Sequence, residues 1–179
     1  RVIARPFVGT ARTNFARTAN RHDYALEPPR MLLDEVKDAG LSVLAVGKIS
    51  DIFSGHGITY SVHTKSNADG IEKIHECLDR QEPGLIFANL VDFDMLYGHR
   101  RDVEGYAKAM LEFDAALPAI MAKLGPEDVL VVTADHGNDP TYIGTDHTRE
   151  YVPVLLYGEP IKAGVDVGTR ASLADLGAT

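Results

Sequence analysis

The stretch Val129-Leu130-Val131-Val132-Thr133-Ala134-Asp135-His136-Gly137-Asn138-Asp139 sets an apolar, β-branched run directly against two acids, a histidine and a glycine. A short apolar run of this kind reads as a buried strand. In sheets built from such strands, ligands gather beyond the carboxyl ends. Two other segments carry the same pairing of Asp and His. Leu85-Ile86-Phe87-Ala88-Asn89-Leu90-Val91 reads as a strand and runs into Asp92-Phe93-Asp94-Met95-Leu96-Tyr97-Gly98-His99. Asp146-His147-Thr148, with His147 eleven residues past His136, precedes a last strand, Val152-Pro153-Val154-Leu155-Leu156-Tyr157.

Helical patterns separate these runs. Pro28-Pro29 opens a helix, with Leu32, Leu33, Val36 and Ala39 at helical spacing and Gly40 as its stop. Leu41–Val46 is of strand length, Gly55 and Gly57 mark a loop, and Ile58–Val62 is a second strand. Ser66 or Asn67 caps a helix with Ile71, Ile74 and Leu78 on one face. Asp102–Leu124 reads as a longer helix whose apolar stripe is Val103, Tyr106, Ala107, Met110, Leu117 and Met121. Pro118 should kink or restart it. Residues 1–27 read as irregular or extended chain. Helices alternating with apolar strands predict an α/β fold, a largely parallel sheet flanked by helices.

Composition narrows the function classes. The chain has 179 residues, 45% hydrophobic and 25% charged, an ordinary globular mixture. It is long enough to bury roughly 70% of its unfolded surface. No apolar run approaches the roughly 20 residues of a membrane span. Cys77 is the single cysteine, so no internal disulfide forms and the cytoplasm is the default compartment. The net charge is −8, yet residues 1–22 hold five arginines and no acid. An acidic chain does not suit nucleic acid over its whole surface, while its basic opening suits a small anion. The chain starts at Arg1, and Ala171-Ser172-Leu173-Ala174-Asp175-Leu176 reads as an unfinished helix; a piece of a longer enzyme is the expectation.

Carboxylate and neutral imidazole are ligands for Zn²⁺, Mn²⁺ and similar ions. Asp94, His99, Asp135, His136 and His147 are the five candidate ligands. One catalytic ion normally takes three protein ligands, so five suit a pair. Two metals are a usual device for in-line displacement at phosphorus. The residues therefore point to metal-dependent phosphoryl or sulfuryl transfer.

Thr133-Ala134-Asp135-His136-Gly137 after an apolar strand resembles the alkaline phosphatase superfamily. Three further strings sharpen the likeness: Val46-Gly47-Lys48-Ile49-Ser50-Asp51-Ile52, Asn89-Leu90-Val91-Asp92-Phe93-Asp94 running on to Gly98-His99-Arg100, and Gly144-Thr145-Asp146-His147-Thr148-Arg149-Glu150. In this order they resemble the phosphopentomutase family, from Arg1 almost to Thr179. The resemblance implies a dinuclear manganese enzyme of nucleoside catabolism. Such enzymes interconvert ribose 1-phosphate and ribose 5-phosphate, and the deoxyribose pair, with a pentose bisphosphate as intermediate or activator. Carried over by motif, Asp94, His99 and His147 bind one ion, and Asp135 and His136 the other. Asp92, Asp139 and Asp146 become supporting or loop residues. The phosphate-carrying threonine and one further metal-ligand aspartate of the family match nothing here.

The resemblance also implies an organisation. Residues 1–27 would be the end of a cap domain and the return to the core. Residues 28–179 would be the C-terminal part of an alkaline-phosphatase-like catalytic core, a fragment of a two-domain enzyme. A mutase must hold one phosphate while the other reacts, and arginine forks suit phosphate. Arg1, Arg5, Arg17, Arg21 and Lys48 are the candidates for that clamp. Arg100 and Arg101 are expected to pair with Asp92 or Asp102. His22, His56, His63 and His75 receive no role, and Met110, Met121 and Cys77 read as core. The fragment itself is expected to be a poor catalyst and to self-associate. Rival readings are a cofactor-independent phosphoglycerate mutase or phosphatase of the same superfamily, and a non-catalytic metal-binding module. Asp and His ligands accept Zn²⁺ as readily as Mn²⁺.

Overall fold

The computed structural model describes residues 2–18, 20, 22–24 and 26–179. The opening segment forms two small antiparallel ladders. β1 (Val2–Ala4) pairs with β4 (His22–Tyr24), and β2 (Phe7–Val8) pairs with β3 (Ala16–Arg17).

The α/β core follows: α1 (Leu32–Asp38), β5 (Ser42–Val46), α2 (Ile49–Ile52), β6 (Tyr60–Val62), α3 (Asn67–Asp79) and β7 (Gly84–Ala88). The three strands form a parallel sheet in the order β6-β5-β7, with Leu44 opposite Tyr60 on one side and Ile86 on the other. Central β5 is an unbroken apolar run, as a strand covered on both faces must be; Val43 to Val46 are all buried. Leu44 and Val46 pack with Cys77 of α3, and Tyr60, Val62, Ile86 and Ala88 close the cluster. Burial pushes the Cys77 thiol pKa up, consistent with an inert core residue.

Helix α1 starts later than Pro28-Pro29 suggests. The Asp34 carboxylate accepts the Met31 N–H at 2.9 Å, which makes the extended Met31 the cap. Its end is as expected. Gly40 is left-handed, φ +78°, and the Gly40 and Leu41 N–H groups bond back to the Lys37 and Val36 carbonyls. That is a Schellman closure, which favours glycine at this position. In α3 the cap is Ser66, whose hydroxyl accepts the Asp69 N–H.

A π-helical segment, Phe93–Gly98, follows β7, and α4 (Val103–Met121) comes after it. Asp102 caps α4 through the Gly105 N–H. Pro118 lies inside this helix, in its last turn, and the helix runs on through it without a restart. The helix surface differs from expectation. Ala109 and Ile120 are buried, with Tyr106, Phe113 and Leu117 partly so, whereas Val103, Ala107 and Met110 are exposed. Apolar residues occupy two faces of α4, and periodicity alone cannot choose between them. Met110 is therefore not core packing.

The last ladder is antiparallel. β8 (Leu130–Thr133) pairs with β9 (Val154–Tyr157), and an isolated bridge between Gly137 and Thr148 ties the loop that joins them. A direct reversal needs no crossover helix, so an antiparallel pair results. Among the described residues this ladder is not hydrogen-bonded to the parallel sheet. The expected convergence at one end of one sheet is instead made by loops. A short helix, α5 (Asp175–Ala178), ends the chain. No helix of the described residues is long and apolar enough to cross a membrane.

Candidate metal centre

Asp94 and His99 sit at the two ends of the π-helical segment. The His99 N–H bonds to the Asp94 carbonyl at 3.0 Å, the i to i+5 closure of a π-turn. On an α-helix of 3.6 residues per turn, positions five apart point about 140° away from each other. The wider turn brings them together, with His99 Nε2 3.4 Å from Asp94 Oδ1.

The loop after β8 brings the other residues in. His147 Nε2 is 3.2 Å from Asp94 Oδ1. The His147 ring stacks on His136, centroids 3.7 Å apart, and tilts against His99 at 4.8 Å. Ligand atoms of Asp94, His136 and His147 all lie within 4.8 Å of one another. Asp135 is the outermost of the five: its Oδ1 is 3.7 Å from His136 Nε2, and its side chain is 65% exposed. All five candidate ligands are thus linked in one patch, and Asp94, His136 and His147 form its tightest group.

The imidazole orientations suit metal binding. His99 Nδ1 lies 2.5 Å from the Thr145 carbonyl, and His136 Nδ1 lies 3.1 Å from the Gly137 carbonyl. A carbonyl only accepts, so each Nδ1 is the donor, and in the neutral imidazole that leaves the lone pair on Nε2. This is the usual arrangement of histidine ligands supported from behind. Asn138 Nδ2 donates to Asp94 Oδ1 at 2.5 Å. Tyr106 of α4 stands close by, its hydroxyl pKa raised by burial and by the charges of Asp94 and Asp139.

Asp92 and Asp139 do other work. Asp92 is buried and exchanges hydrogen bonds with Asn67, accepting its N–H at 2.6 Å and donating its own N–H to Oδ1 at 2.9 Å. It ties the start of α3 to the π-helical segment. The Asp139 carboxylate accepts from the hydroxyl and N–H of Thr141, which with nearby Arg101 lowers its pKa.

Arg101 overturns its expected pairing with Asp92 or Asp102. Its guanidinium instead bonds to Gly98, Asn138, Asp139, Gly144 and Asp146. Asn138 carries no role in the sequence, and Arg101 carries one with other partners than those it takes. Their signal was position alone, each within two residues of a candidate histidine.

Arg5 lines a cleft of about 380 Å³ with Phe7, Phe15 and Ala16. Lys48 is exposed just past the carboxyl end of β5. Arg1 and Arg21 lie outside the described residues, and so does the side chain of Arg17.

Residues 8–179 match the metalloenzyme superfamily. The chain belongs to that superfamily. Its α/β fold is of the alkaline-phosphatase type. Within the superfamily, the chain is 98% identical over 179 residues to the phosphopentomutase of Symbiobacterium thermophilum. It is 57% identical over 180 residues to that of Clostridioides difficile, and 60% identical over 180 residues to that of Desulfitobacterium hafniense. Each match takes in the whole chain but 46% of the relative, so the chain spans about half the length of these curated relatives.

Proposed function

We propose that this chain forms the metal-binding part of a phosphopentomutase, which interconverts ribose 1-phosphate and ribose 5-phosphate, and the deoxyribose pair, through a phosphothreonine. The observation that carries the reading is the 98% identity with the Symbiobacterium enzyme along all 179 residues. The donor set supports it, since carboxylates and lone-pair-bearing imidazoles suit divalent ions. Asp94, His99 and His147 would hold one Mn²⁺, and Asp135 with His136 the other. Bound, the ions supply Lewis-acid polarisation and neutralise charge on the transferring phosphoryl group.

The chain's own groups do the rest of the positioning. Thr145 and Gly137 carbonyls fix the tautomers of His99 and His136. Arg5 and Lys48, with Arg1, Arg17 and Arg21, are the cations for the phosphate that is not reacting. The phosphate-carrying threonine lies outside these 179 residues. Thr148 is a poor substitute, because its hydroxyl is engaged by the Asp139 N–H at 2.6 Å. A pentose bisphosphate forms in the exchange, in a cytoplasmic enzyme.

The test uses a polypeptide of the relatives' full length that contains this chain. With Mn²⁺ it should convert pentose 1-phosphate, with phosphoglycerate and a generic phosphate ester as poor substrates, and chelation should abolish turnover. Preference for phosphoglycerate would move the chain to another branch of the superfamily.

A further inference from the structure

Arg101 closes the turn after the π-helical segment with a left-handed backbone, φ +56°, a conformation uncommon for a residue with a Cβ. From there its side chain reaches across to the 138–146 loop. Nη1 donates to Asn138 Oδ1 at 3.0 Å, to the Asp139 carbonyl at 2.7 Å and to the Gly98 carbonyl at 3.2 Å. Nη2 donates to the Asp146 carbonyl at 2.6 Å, and Nε donates to the Gly144 carbonyl. None of these acceptors is a carboxylate. The guanidinium acts as a planar bracket whose donors are fixed relative to one another.

Two groups held by this bracket touch candidate ligands. Asn138 accepts from Arg101 through Oδ1 and donates to Asp94 through Nδ2. Thr145 lies between Gly144 and Asp146, whose carbonyls Arg101 holds, and its own carbonyl receives His99 Nδ1. We infer that Arg101 is a positioning residue for the metal centre. Its guanidinium fixes the 138–146 loop, so that Asn138 orients the Asp94 carboxylate and Thr145 holds His99 with Nε2 free to ligate. The inference rests on the metal-centre reading above and assigns Arg101 no contact with substrate.

Arg101→Gly removes the bracket while suiting the left-handed backbone. Arg101→Lys keeps the charge but not the fork, and serves if the glycine variant fails to fold. Both are made in the full-length polypeptide, with Mn²⁺ affinity read by titration calorimetry alongside mutase kinetics. Affinity should fall roughly 10–100-fold, the usual loss when a ligand's supporting partner is removed. At saturating Mn²⁺, kcat and KM for pentose 1-phosphate should return close to the parent's. Added guanidinium ion should restore part of the affinity of Arg101→Gly. Parent-like affinity in the folded variants, or a kcat deficit that saturating Mn²⁺ does not repair, overturns the inference and leaves the metal centre standing. A parent that binds no Mn²⁺ overturns both.

Discussion

Asp94 Oδ1 has three nitrogens around one oxygen: Asn138 Nδ2 at 2.5 Å, His147 Nε2 at 3.2 Å and His99 Nε2 at 3.4 Å. This crowding makes single side chains decisive. In the full-length polypeptide, His147→Ala or Asp135→Ala should remove most Mn²⁺-dependent turnover while leaving the circular dichroism spectrum unchanged. Parent-level turnover at saturating Mn²⁺ would take that residue out of the centre. Gly98 imposes a steric condition on the same group. A Cβ there would lie 2.3 Å from Asn138 Nδ2 and 2.5 Å from its Cγ. Asn138 is tethered to Asp94 and to Arg101, so it cannot yield without breaking one of those bonds. Gly98→Ala should therefore weaken Mn²⁺ binding by roughly 10-fold or more, measurable by calorimetry; unchanged affinity would mean that Asn138 does not orient Asp94.

At the scale of elements, the centre depends on how segments begin and end. The π-turn aligns Asp94 with His99, and α3 starts on the reciprocal Asp92–Asn67 pair beside it. The Ser66 hydroxyl accepts the Asp69 N–H at 3.2 Å, while the Asp69 carboxylate accepts the Lys65 N–H at 2.7 Å. Ser66→Ala removes the capping oxygen and leaves an N–H of the first turn without its partner. Its expected cost is about 1 kcal/mol of stability, read as a lower midpoint in urea or thermal unfolding. A midpoint equal to the parent's would show that Asp69 and water satisfy that turn unaided.

The whole molecule exposes more than a closed globule should. Its accessible surface is 12,521 Å², against about 8,500 Å² expected for a compact monomer of its mass. Much of what is exposed is apolar: Phe7 and Phe15 of the opening ladders, Met110 and Leu111 of α4, and Leu155 and Tyr157 of β9. Patches of this kind are covered in a stable assembly. The isolated 179-residue chain is accordingly expected to associate and to bind a hydrophobic dye. Sedimentation at rising concentration checks this, and a monomer free of dye binding at all concentrations would contradict it. The same chain should turn over pentose phosphate poorly.

Local chemistry made parts of this protein legible in advance. Val43–Val46 is apolar at every position over a strand's length, as suits a strand covered on both faces, and Gly40 stops α1 because it accepts a left-handed backbone. The Asp and His residues after apolar strands named the ligand candidates, since few other side chains bind divalent ions. What local chemistry could not carry was long-range partnership. Leu130–Thr133 does not state whether its neighbour runs parallel or antiparallel, and α4 has two apolar faces of which one found a partner. Arg101 is the sharpest case. Nearby acids suggested an ion pair, yet a left-handed turn aimed the guanidinium at carbonyls some forty residues away in the chain. Hydrogen bonds of that span exist only once the loop and the π-turn have packed together.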